Sequence, residues 1–462
     1  MSILISKRMD KKLGDELIPK TPRILKYILR ISVPAAAETL LIGVIGLIDT
    51  MMVGSLGTVS LASVSICQQP IFITLAAAFG FSAGITAVVS RRKGEANRDD
   101  ARKTVRQAII LCAIIGFVFT ILSILLARPF LRLTGAKDDT IDLACTYFRI
   151  VSSALVFNYL RLAICASLRA EGNTKVTLLV NLIANAVNVF LNYCLINGHL
   201  GFPRLEVKGA AIATAIGNTV AFIVCILILR FRRGFVAIEK GDDWHLDREN
   251  INNLVKVSTP AFIEQLFMRF GFYIIAVIVN NLGTEVVAMN AIISGTISLA
   301  FNITDGFAIG SAALVGRSLG ERLPKKAFAY ARMCQICSFC LGLMMISLIY
   351  IFRVPVSMLF SNEESVIEGA STTLKIAVFV ILPQSLQWVT TGALRGAGDV
   401  SFTAKTSMLS VAIVRPILSF LLCYPIGLGL LGSWIGMFID QTIRFTLNNS
   451  RLLSLKWVKI KV

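Results

Sequence analysis

A single acid inside the first long apolar segment is the sharpest candidate for chemistry. Asp49 lies in the run IGLIDTMMVG, about 18 residues into the segment 31–54, and no basic residue stands three or four positions away. Burial in an apolar medium disfavours a charged carboxylate. We therefore expect Asp49 to alternate between a protonated and a cation-bound form, as a coupling residue would. The alternative is a structural hydrogen bond between helices.

Three further acids interrupt apolar segments and are candidates for cation coupling or substrate binding. Glu38 and Glu264 each stand four residues after a helix-breaking proline, Pro34 and Pro260. They can line the inner mouth of a cavity or stabilise the backbone that the prolines free. Asp305 is a third intramembrane acid, and it has no acidic counterpart elsewhere in the chain.

Four asparagines share one predicted helix face. Asn181, Asn185, Asn188 and Asn192 follow one another at spacings of 4, 3 and 4, which is the period of an α-helix. Amides in this arrangement can coordinate a cation or bind a ligand. Hydrogen bonding between neighbouring helices is the structural alternative.

Four more charged residues form a predicted network that is structural or takes part in coupling. Asp440 and Arg444 stand four residues apart, which predicts an ion pair on one helix. Arg415 is a second candidate partner for Asp440. Arg269 follows Glu264 by five residues, about 140° around a helix, so these two should not form a simple pair.

Several kinds of chemistry are missing from the sequence. It contains no GxxxxGKS or GxxxxGKT phosphate loop, and its only histidines, His199 and His245, lie outside the apolar segments. An ATP-driven pump, histidine-ligated haem and a HExxH zinc protease are therefore excluded. We expect neither an enzyme nor a metal site, and no cofactor other than H⁺ or Na⁺ as the coupling ion.

The elements that must position these residues are membrane-spanning helices. The 462 residues are 55% apolar and only 16% charged, against about 25% charged in soluble proteins, and the mean hydropathy is +0.74. A span needs roughly 20 apolar residues. The sequence therefore predicts an all-α integral membrane protein with twelve spans, at 31–54, 65–90, 106–127, 141–167, 176–197, 209–229, 258–281, 286–315, 327–352, 369–394, 402–426 and 431–448.

The net charge of +19 predicts an orientation. Alternate connections assign 34 of the 46 basic residues to one side of the membrane and six to the other. The positive-inside rule then places both termini in the cytoplasm, facing an anionic leaflet. The cytoplasmic parts are an N-tail (1–30), a linker (230–257) that ends in a short surface helix, and a C-tail (449–462). Nucleic-acid binding is the weaker explanation, because the basic loops are short and contain acids.

The chain is an internal duplication. A shift of 226 residues aligns 34–95 with 260–321 without a gap, and 20 of the 62 positions are identical. Each copy holds six spans, so the N-lobe (31–229) and the C-lobe (258–448) insert with the same orientation. We expect two six-helix bundles related by a pseudo-two-fold axis along the membrane normal, an architecture suited to alternating access. The same shift aligns Asp49 with Ile275.

Several motifs on this framework are similar to a known family. They are DTMMVG in the first span, the turns LRAEGNTK and LRGAGDV, and VKGAAIAT at the start of the sixth span. Over residues 30 to about 448 the chain resembles multidrug and toxic compound extrusion (MATE) transporters, and PAFIEQLFMR resembles their DinF-like branch. The resemblance implies rocker-switch antiport, in which H⁺ or Na⁺ enters while an organic, often cationic and amphipathic compound leaves. It also implies coupling at Asp49 and a polar pair at Asn188 and Asn192.

Two departures from the family pattern bear on ion coupling. Some members carry an acid where this chain has Asn192, so coupling in the N-half would rest chiefly on Asp49. The glutamate of the Na⁺-coupled branch would fall at Met268, one turn after Glu264, which favours H⁺ over Na⁺. We expect a monomeric multidrug exporter of the cell membrane that takes a small organic substrate. The alternatives are a lipid-linked saccharide flippase of related fold, which would need a more cationic cavity, and an intramembrane enzyme or channel, for which the sequence has no catalytic constellation.

Overall fold

The computed structural model describes residues 20–232, 234–239, 241–360 and 363–460. The structure is 86% helical, and no strand occurs within those ranges, which confirms the predicted all-α class. The first 19 residues of the predicted N-tail and the last two of the predicted C-tail lie outside the described residues.

The helices of the first half follow the predicted spans. Asn97 is the N-cap of the helix Arg98–Leu125, and its side chain accepts a hydrogen bond from the backbone N–H of Asp100 at 3.2 Å. Two pairs of consecutive helices are bent, by 44° at Leu75 and by 49° at Ala154, so each pair corresponds to one predicted span. The helices are α1 (Thr21–Gly54), α2 (Thr58–Thr74), α3 (Ala76–Gly94), α4 (Arg98–Leu125), α5 (Ala127–Leu133), α6 (Ile141–Ser153), α7 (Leu155–Ala170), α8 (Thr174–Asn197) and α9 (Glu206–Phe231).

The second half repeats this series with two interruptions. A 3₁₀ turn at Val378–Val380 interrupts the tenth predicted span, and a π-helical turn at Ser410–Val414 interrupts the eleventh. The predicted surface helix after the linker is not a separate element, because it continues into the seventh span as one helix. The helices are α10 (Arg248–Asn280), α11 (Thr284–Gly320), α12 (Pro324–Met358), α13 (Glu364–Ala377), α14 (Ile381–Gly396), α15 (Val400–Leu409), α16 (Arg415–Cys423) and α17 (Gly429–Leu453).

The apolar helices agree with a membrane-embedded chain. Within the described ranges, nine helical segments are long and apolar enough to cross a bilayer, or eleven when each bent pair counts as one span. The remaining predicted span, 431–448, lies in α17. Repeat-related turns precede α2 and α11, where Gly57 and Gly283 have φ of 108° and 116°. That backbone conformation favours glycine, which explains why LGT occurs in both copies.

The helices form two compact units. The N-unit is Leu40–Gln265, and the C-unit joins the described residues up to Thr39 to those from Leu266 onward. These boundaries differ from the predicted lobes, because α1 and α10 each contribute their first segment to one unit and the rest to the other. The first segment of α10 packs closely on α3, and this requires a glycine. A Cβ on Gly80 would lie 2.8 Å from the backbone nitrogen of Phe262, which is too close.

The linker packs on the start of α4 within the N-unit. The Asp242 carboxylate accepts hydrogen bonds from Arg102 at 2.9 and 3.0 Å and forms an ion pair with Arg106 at 2.9 Å. Burial acts to raise the pKa of Asp242, but the backbone N–H of Glu239 and the two guanidinium groups hold it below its ordinary value. The Gln107 amide also donates to the His245 carbonyl at 2.6 Å. The polar part of the linker is therefore held against α4.

Candidate cation-coupling site

Asp49 lies in the last turns of α1, inside the N-unit. The Asn192 amide of α8 donates to Asp49 Oδ1 at 2.7 Å, and Asn192 is itself buried, with 1% of its surface exposed. A hydrogen bond to a carboxylate is charge-assisted and stronger than one between neutral groups. The structure thus brings together the two residues that stood in different predicted spans, and it gives the charged form of Asp49 a specific partner.

Asn188 lies one turn before Asn192 on the same helix face and completes a cluster around Asp49. Its amide fits in two orientations. In one, Asn188 Oδ1 accepts from Asn192 at 3.3 Å and its nitrogen lies 3.5 Å from the Thr214 hydroxyl. In the other, the nitrogen donates to Asp49 Oδ1 at 2.9 Å and the oxygen accepts from the Thr214 backbone N–H at 3.2 Å. The second orientation satisfies an ionised carboxylate, because both amides then donate to Asp49.

Two residues of this site were absent from the sequence-based candidates. Thr214 of α9 and Tyr147 of α6 line a cavity with Asp49, and the Tyr147 side chain interacts with Thr214. The sequence did point to Thr214, since it is the last residue of the VKGAAIAT motif. Nothing in the sequence pointed to Tyr147, because the pattern of an apolar helix does not show which residues a tyrosine contacts.

Asp49 borders two cavities of the N-unit. The Asp49 cavity, of about 140 Å³, is lined by Asp49, Gln68, Tyr147 and Thr214, among others. A second cavity, of about 190 Å³, contains Asp49 and Thr214 together with Arg161. The carboxylate is therefore open to two spaces, where a proton or a cationic group can reach it.

Arg161 is the basic residue of the second cavity. Its guanidinium donates to Asn158 at 2.8 Å and to Asn181 at 2.7 Å. Asn181 and Asn185 line the same cavity. Along the asparagine face of α8, Asn181 accepts from Arg161. From the same face, Asn192 donates to Asp49. Both contacts are hydrogen bonds between helices, which was the structural alternative, and the second one also places the series at the candidate coupling site.

The other predicted acids lie elsewhere. Glu38 and Glu264 are buried, with 2% and 1% exposure, and they belong to the C-unit and the N-unit respectively. Asp305 is half-buried on α11. In the described structure none of the three lines either cavity that contains Asp49. Their predicted roles in coupling therefore gain no support from the geometry of this site.

The C-unit contains the predicted charge network. Arg444 donates to Asp440 Oδ2 at 3.0 Å, and Ser410 in the π turn donates to Oδ1, so both carboxylate oxygens are held. Arg415 forms no ion pair with Asp440 among the described contacts; its guanidinium lies 5.5 Å from the centre of the Phe272 ring. The Arg269 guanidinium lies 5.9 Å from the same ring.

A family model decides the identity of this fold. The model described as MatE matches residues 34–194 and 260–421, so it matches twice, at the interval of the internal repeat. The chain belongs to the MATE family. A probable multidrug resistance protein NorM from Thermotoga maritima is 27% identical over 450 residues, which cover 96% of this chain and 95% of that protein.

Solved structures share the fold of this MATE protein. A MOP superfamily transporter from Pyrococcus furiosus, whose binding pocket is described as having reverse polarity, superimposes with a TM-score of 0.87 at 23% identity. An outward-facing multidrug resistance MATE transporter gives the same TM-score at 22% identity. Each match covers 96% of this chain and all of the other. The family match and the multidrug resistance relative show that the chain is a multi-pass membrane transporter and not an enzyme.

Proposed function

We propose that this MATE protein exports organic, often cationic and amphipathic compounds by antiport with H⁺. The observation that carries the proposal is the Asp49 carboxylate, which borders two cavities and is held by Asn192 at 2.7 Å. The name of the Thermotoga relative, a probable multidrug resistance protein, supports export of drug-like compounds. A proton and a cationic substrate would then compete for one negative charge.

The amide cluster suggests how that competition works. When Asp49 is ionised, Asn192 and the rotated amide of Asn188 both donate to it. A protonated Asp49 carries an O–H donor and needs an acceptor, which Asn188 offers in its other orientation. Protonation at Asp49 would thus turn the Asn188 amide away, change its contact with Thr214 and weaken the hold on a bound cation.

The same cluster favours H⁺ over Na⁺. Sodium requires several oxygen ligands, whereas the nearest partner of the Asp49 carboxylate is the Asn192 nitrogen. A Na⁺ site would require the Asn188 oxygen, the Thr214 hydroxyl and the carboxylate to converge, with the Asn192 amide rotated so that its nitrogen no longer faces the carboxylate. We further propose that both termini lie in the cytoplasm beside an anionic inner leaflet. The protein would be a monomer of the DinF-like branch and would work by rocker-switch alternating access.

Ion-gradient assays separate the two coupling ions. The purified protein is reconstituted in liposomes, and transport of ethidium against its gradient is followed by fluorescence under an imposed pH gradient or an imposed Na⁺ gradient. We expect transport with the pH gradient alone. Transport driven only by Na⁺ would contradict H⁺ coupling, and absence of transport with either gradient would contradict cation export and favour the flippase alternative.

A further inference from the structure

The C-unit contains a cavity that is the repeat counterpart of the Asp49 cavity. It has a volume of about 280 Å³ and is lined by residues of α10, α11, α16 and α17. The 226-residue shift that aligns the two copies also aligns six of the twelve residues that line each cavity, all of them on the first two spans of a copy. Four of the matched pairs are Gly46 with Phe272, Asp49 with Ile275, Val53 with Val279 and Val64 with Asn290.

The two cavities differ in charge. Ile275 occupies the position of Asp49, and the charged residue that lines the C-unit cavity is Arg415. Arg415 is only 8% exposed, and its Nε has no hydrogen-bond partner among the described residues. The ring of Phe272, 5.5 Å away, gives partial compensation for its lost hydration. We call this space the Arg415 cavity.

Arg415 retains an excess positive charge. The charged groups that act on it are Asp440 and Arg444. The Asp440 carboxylate already accepts from Arg444 at 3.0 Å and from the Ser410 hydroxyl. One carboxylate therefore faces two guanidinium groups, and among the described contacts its direct ones go to Arg444 and Ser410 and not to Arg415. A buried cation without a dedicated partner is costly, and an anionic ligand would remove that cost.

The other polar groups of the Arg415 cavity are suited to an anion. The Trp434 indole N–H donates to Asn290 Oδ1 at 3.2 Å, which leaves the Asn290 NH₂ group as a donor. Ser294 and Ser433 add hydroxyl groups to the wall, and no acid lines the cavity in the described part of the chain. All of these groups can donate a hydrogen bond to a carboxylate.

We propose that the Arg415 cavity binds the carboxylate of a small aromatic acid. The Phe272 and Trp434 rings provide apolar surface for an aromatic ring beside the guanidinium. Pockets for drug-sized ligands have about 300–1,000 Å³, so this cavity suits a ligand of one or two rings. The inference rests on the proposed function in one respect: the acid would be cargo, either alone or as the anionic end of a zwitterion.

Three probes of the same shape test the charge preference. 4-Nitrobenzoate, 4-nitrobenzamide and 4-nitrobenzylammonium differ in charge and share a ring that quenches tryptophan fluorescence. Their binding to the purified wild-type protein is measured by calorimetry and by quenching. We expect the acid to bind about 10- to 100-fold more tightly than the other two. Equal binding of the three, or preference for the cation, would overturn the proposal.

Variants locate the site. Arg415→Gln should remove the preference for the acid, and Arg415→Lys should retain part of it, because lysine keeps the charge but not the planar fork. Arg353→Gln is the matched control, since Arg353 also lies over a ring, 5.0 Å from the centre of Tyr350, in the same unit. An acid preference that survives Arg415→Gln would overturn the assignment. If that variant does not fold, the wild-type probe series still decides whether an anion binds.

Competition with inorganic pyrophosphate distinguishes an aromatic acid from a phosphate headgroup. Pyrophosphate should not displace 4-nitrobenzoate. Displacement, or binding of pyrophosphate alone, would overturn the aromatic-acid assignment in favour of a phosphate headgroup.

The Asp49→Asn variant distinguishes acid binding from the proposed coupling function. It should still bind 4-nitrobenzoate while losing H⁺-coupled ethidium transport. If the wild-type protein transports ethidium normally but does not bind 4-nitrobenzoate, only the aromatic-acid proposal is rejected. If 4-nitrobenzoate binds normally but Asp49→Asn still transports ethidium, the aromatic-acid proposal is supported and the coupling role of Asp49 is rejected.

Discussion

The Asp49 cavity and the Arg415 cavity occupy equivalent places in the two copies of the repeat, yet one is built around an acid and the other around a base. The frame is shared: the turns at Gly57 and Gly283 both have positive φ and precede equivalent helices. The charges are not shared, since Asp49 is replaced by Ile275. The duplication thus preserved backbone packing while the polar side chains of the two cavities diverged, which indicates different tasks.

The largest effect is expected when Asp49 is replaced by isoleucine, the residue at the equivalent position of the second copy, Ile275. Asp49→Ile should reduce H⁺-coupled ethidium transport to the level of protein-free liposomes, because no other acid lines the two Asp49-containing cavities in the described structure. Asp138→Asn is the control, as the Asp138 side chain is 98% exposed. Substantial H⁺-coupled transport by Asp49→Ile would contradict the coupling role of Asp49, and with it the proposed functional difference between the two cavities.

The reciprocal substitution should change the Arg415 cavity. In Ile275→Asp a carboxylate stands beside Arg415 and neutralises it, so binding of 4-nitrobenzoate should weaken about 10- to 100-fold. Ile275→Asn, a polar control of the same shape as aspartate, should weaken it less. Calorimetry measures both. Unchanged affinity in Ile275→Asp would show that the anion does not bind near this position.

An intermediate effect is expected at Asn192. Asn192→Ala removes the 2.7 Å donor to Asp49 but leaves the acid in place. A hydrogen bond to a charged group contributes about 1.5–3 kcal/mol, so we expect H⁺-driven ethidium transport to slow without being lost. Asn185→Ala, about two turns earlier on the same helix and without a hydrogen bond to Asp49 in the described structure, is the control. A loss as complete as that of Asp49→Ile would mean that Asn192 is itself essential.

The smallest effect concerns packing that the two copies share. Gly80→Ala would place a Cβ against the Phe262 backbone, and Gly306→Ala would do the same against Ala36. Overpacking typically costs about 1–3 kcal/mol, so both variants should lower the unfolding temperature. Gly306→Ala should lower it more, because its Cβ would lie closer to the Ala36 nitrogen than the 2.8 Å that separates the Cβ of Gly80→Ala from the Phe262 nitrogen. Gly46→Ala, with nothing within 4 Å of its Cβ, should not lower it. An unchanged unfolding temperature in Gly80→Ala or Gly306→Ala would show that the close approach is absent from that copy.

The helices and the duplication were predictable because they depend on local hydropathy and on identity between copies. All twelve predicted spans coincide with helices, including 431–448 within α17, although Asp440 and Arg444 lower its hydropathy. The grouping of Asn188 and Asn192 followed from helical spacing, since residues at i and i+4 share a face. Each of these inferences uses neighbours in sequence or a direct alignment.

The remaining features depend on contacts between distant residues. Nothing in the sequence indicates that the compact units divide α1 after Thr39 and α10 after Gln265. The competition for Asp440 was left open, and it was decided by the π turn that brings Ser410 to the carboxylate. The Arg415 cavity was hidden for the same reason: a lone arginine in an apolar helix shows its excess charge only when its neighbours are known.

Proton release on cation binding tests the central claim most directly. Purified protein in weakly buffered detergent solution is titrated with tetraphenylphosphonium while a pH indicator records released protons. If the proton and the cation compete at Asp49, the wild-type protein should release protons as the cation binds, and Asp49→Asn should release none. Cation binding without proton release in the wild type, or equal release by wild type and Asp49→Asn, would contradict the account.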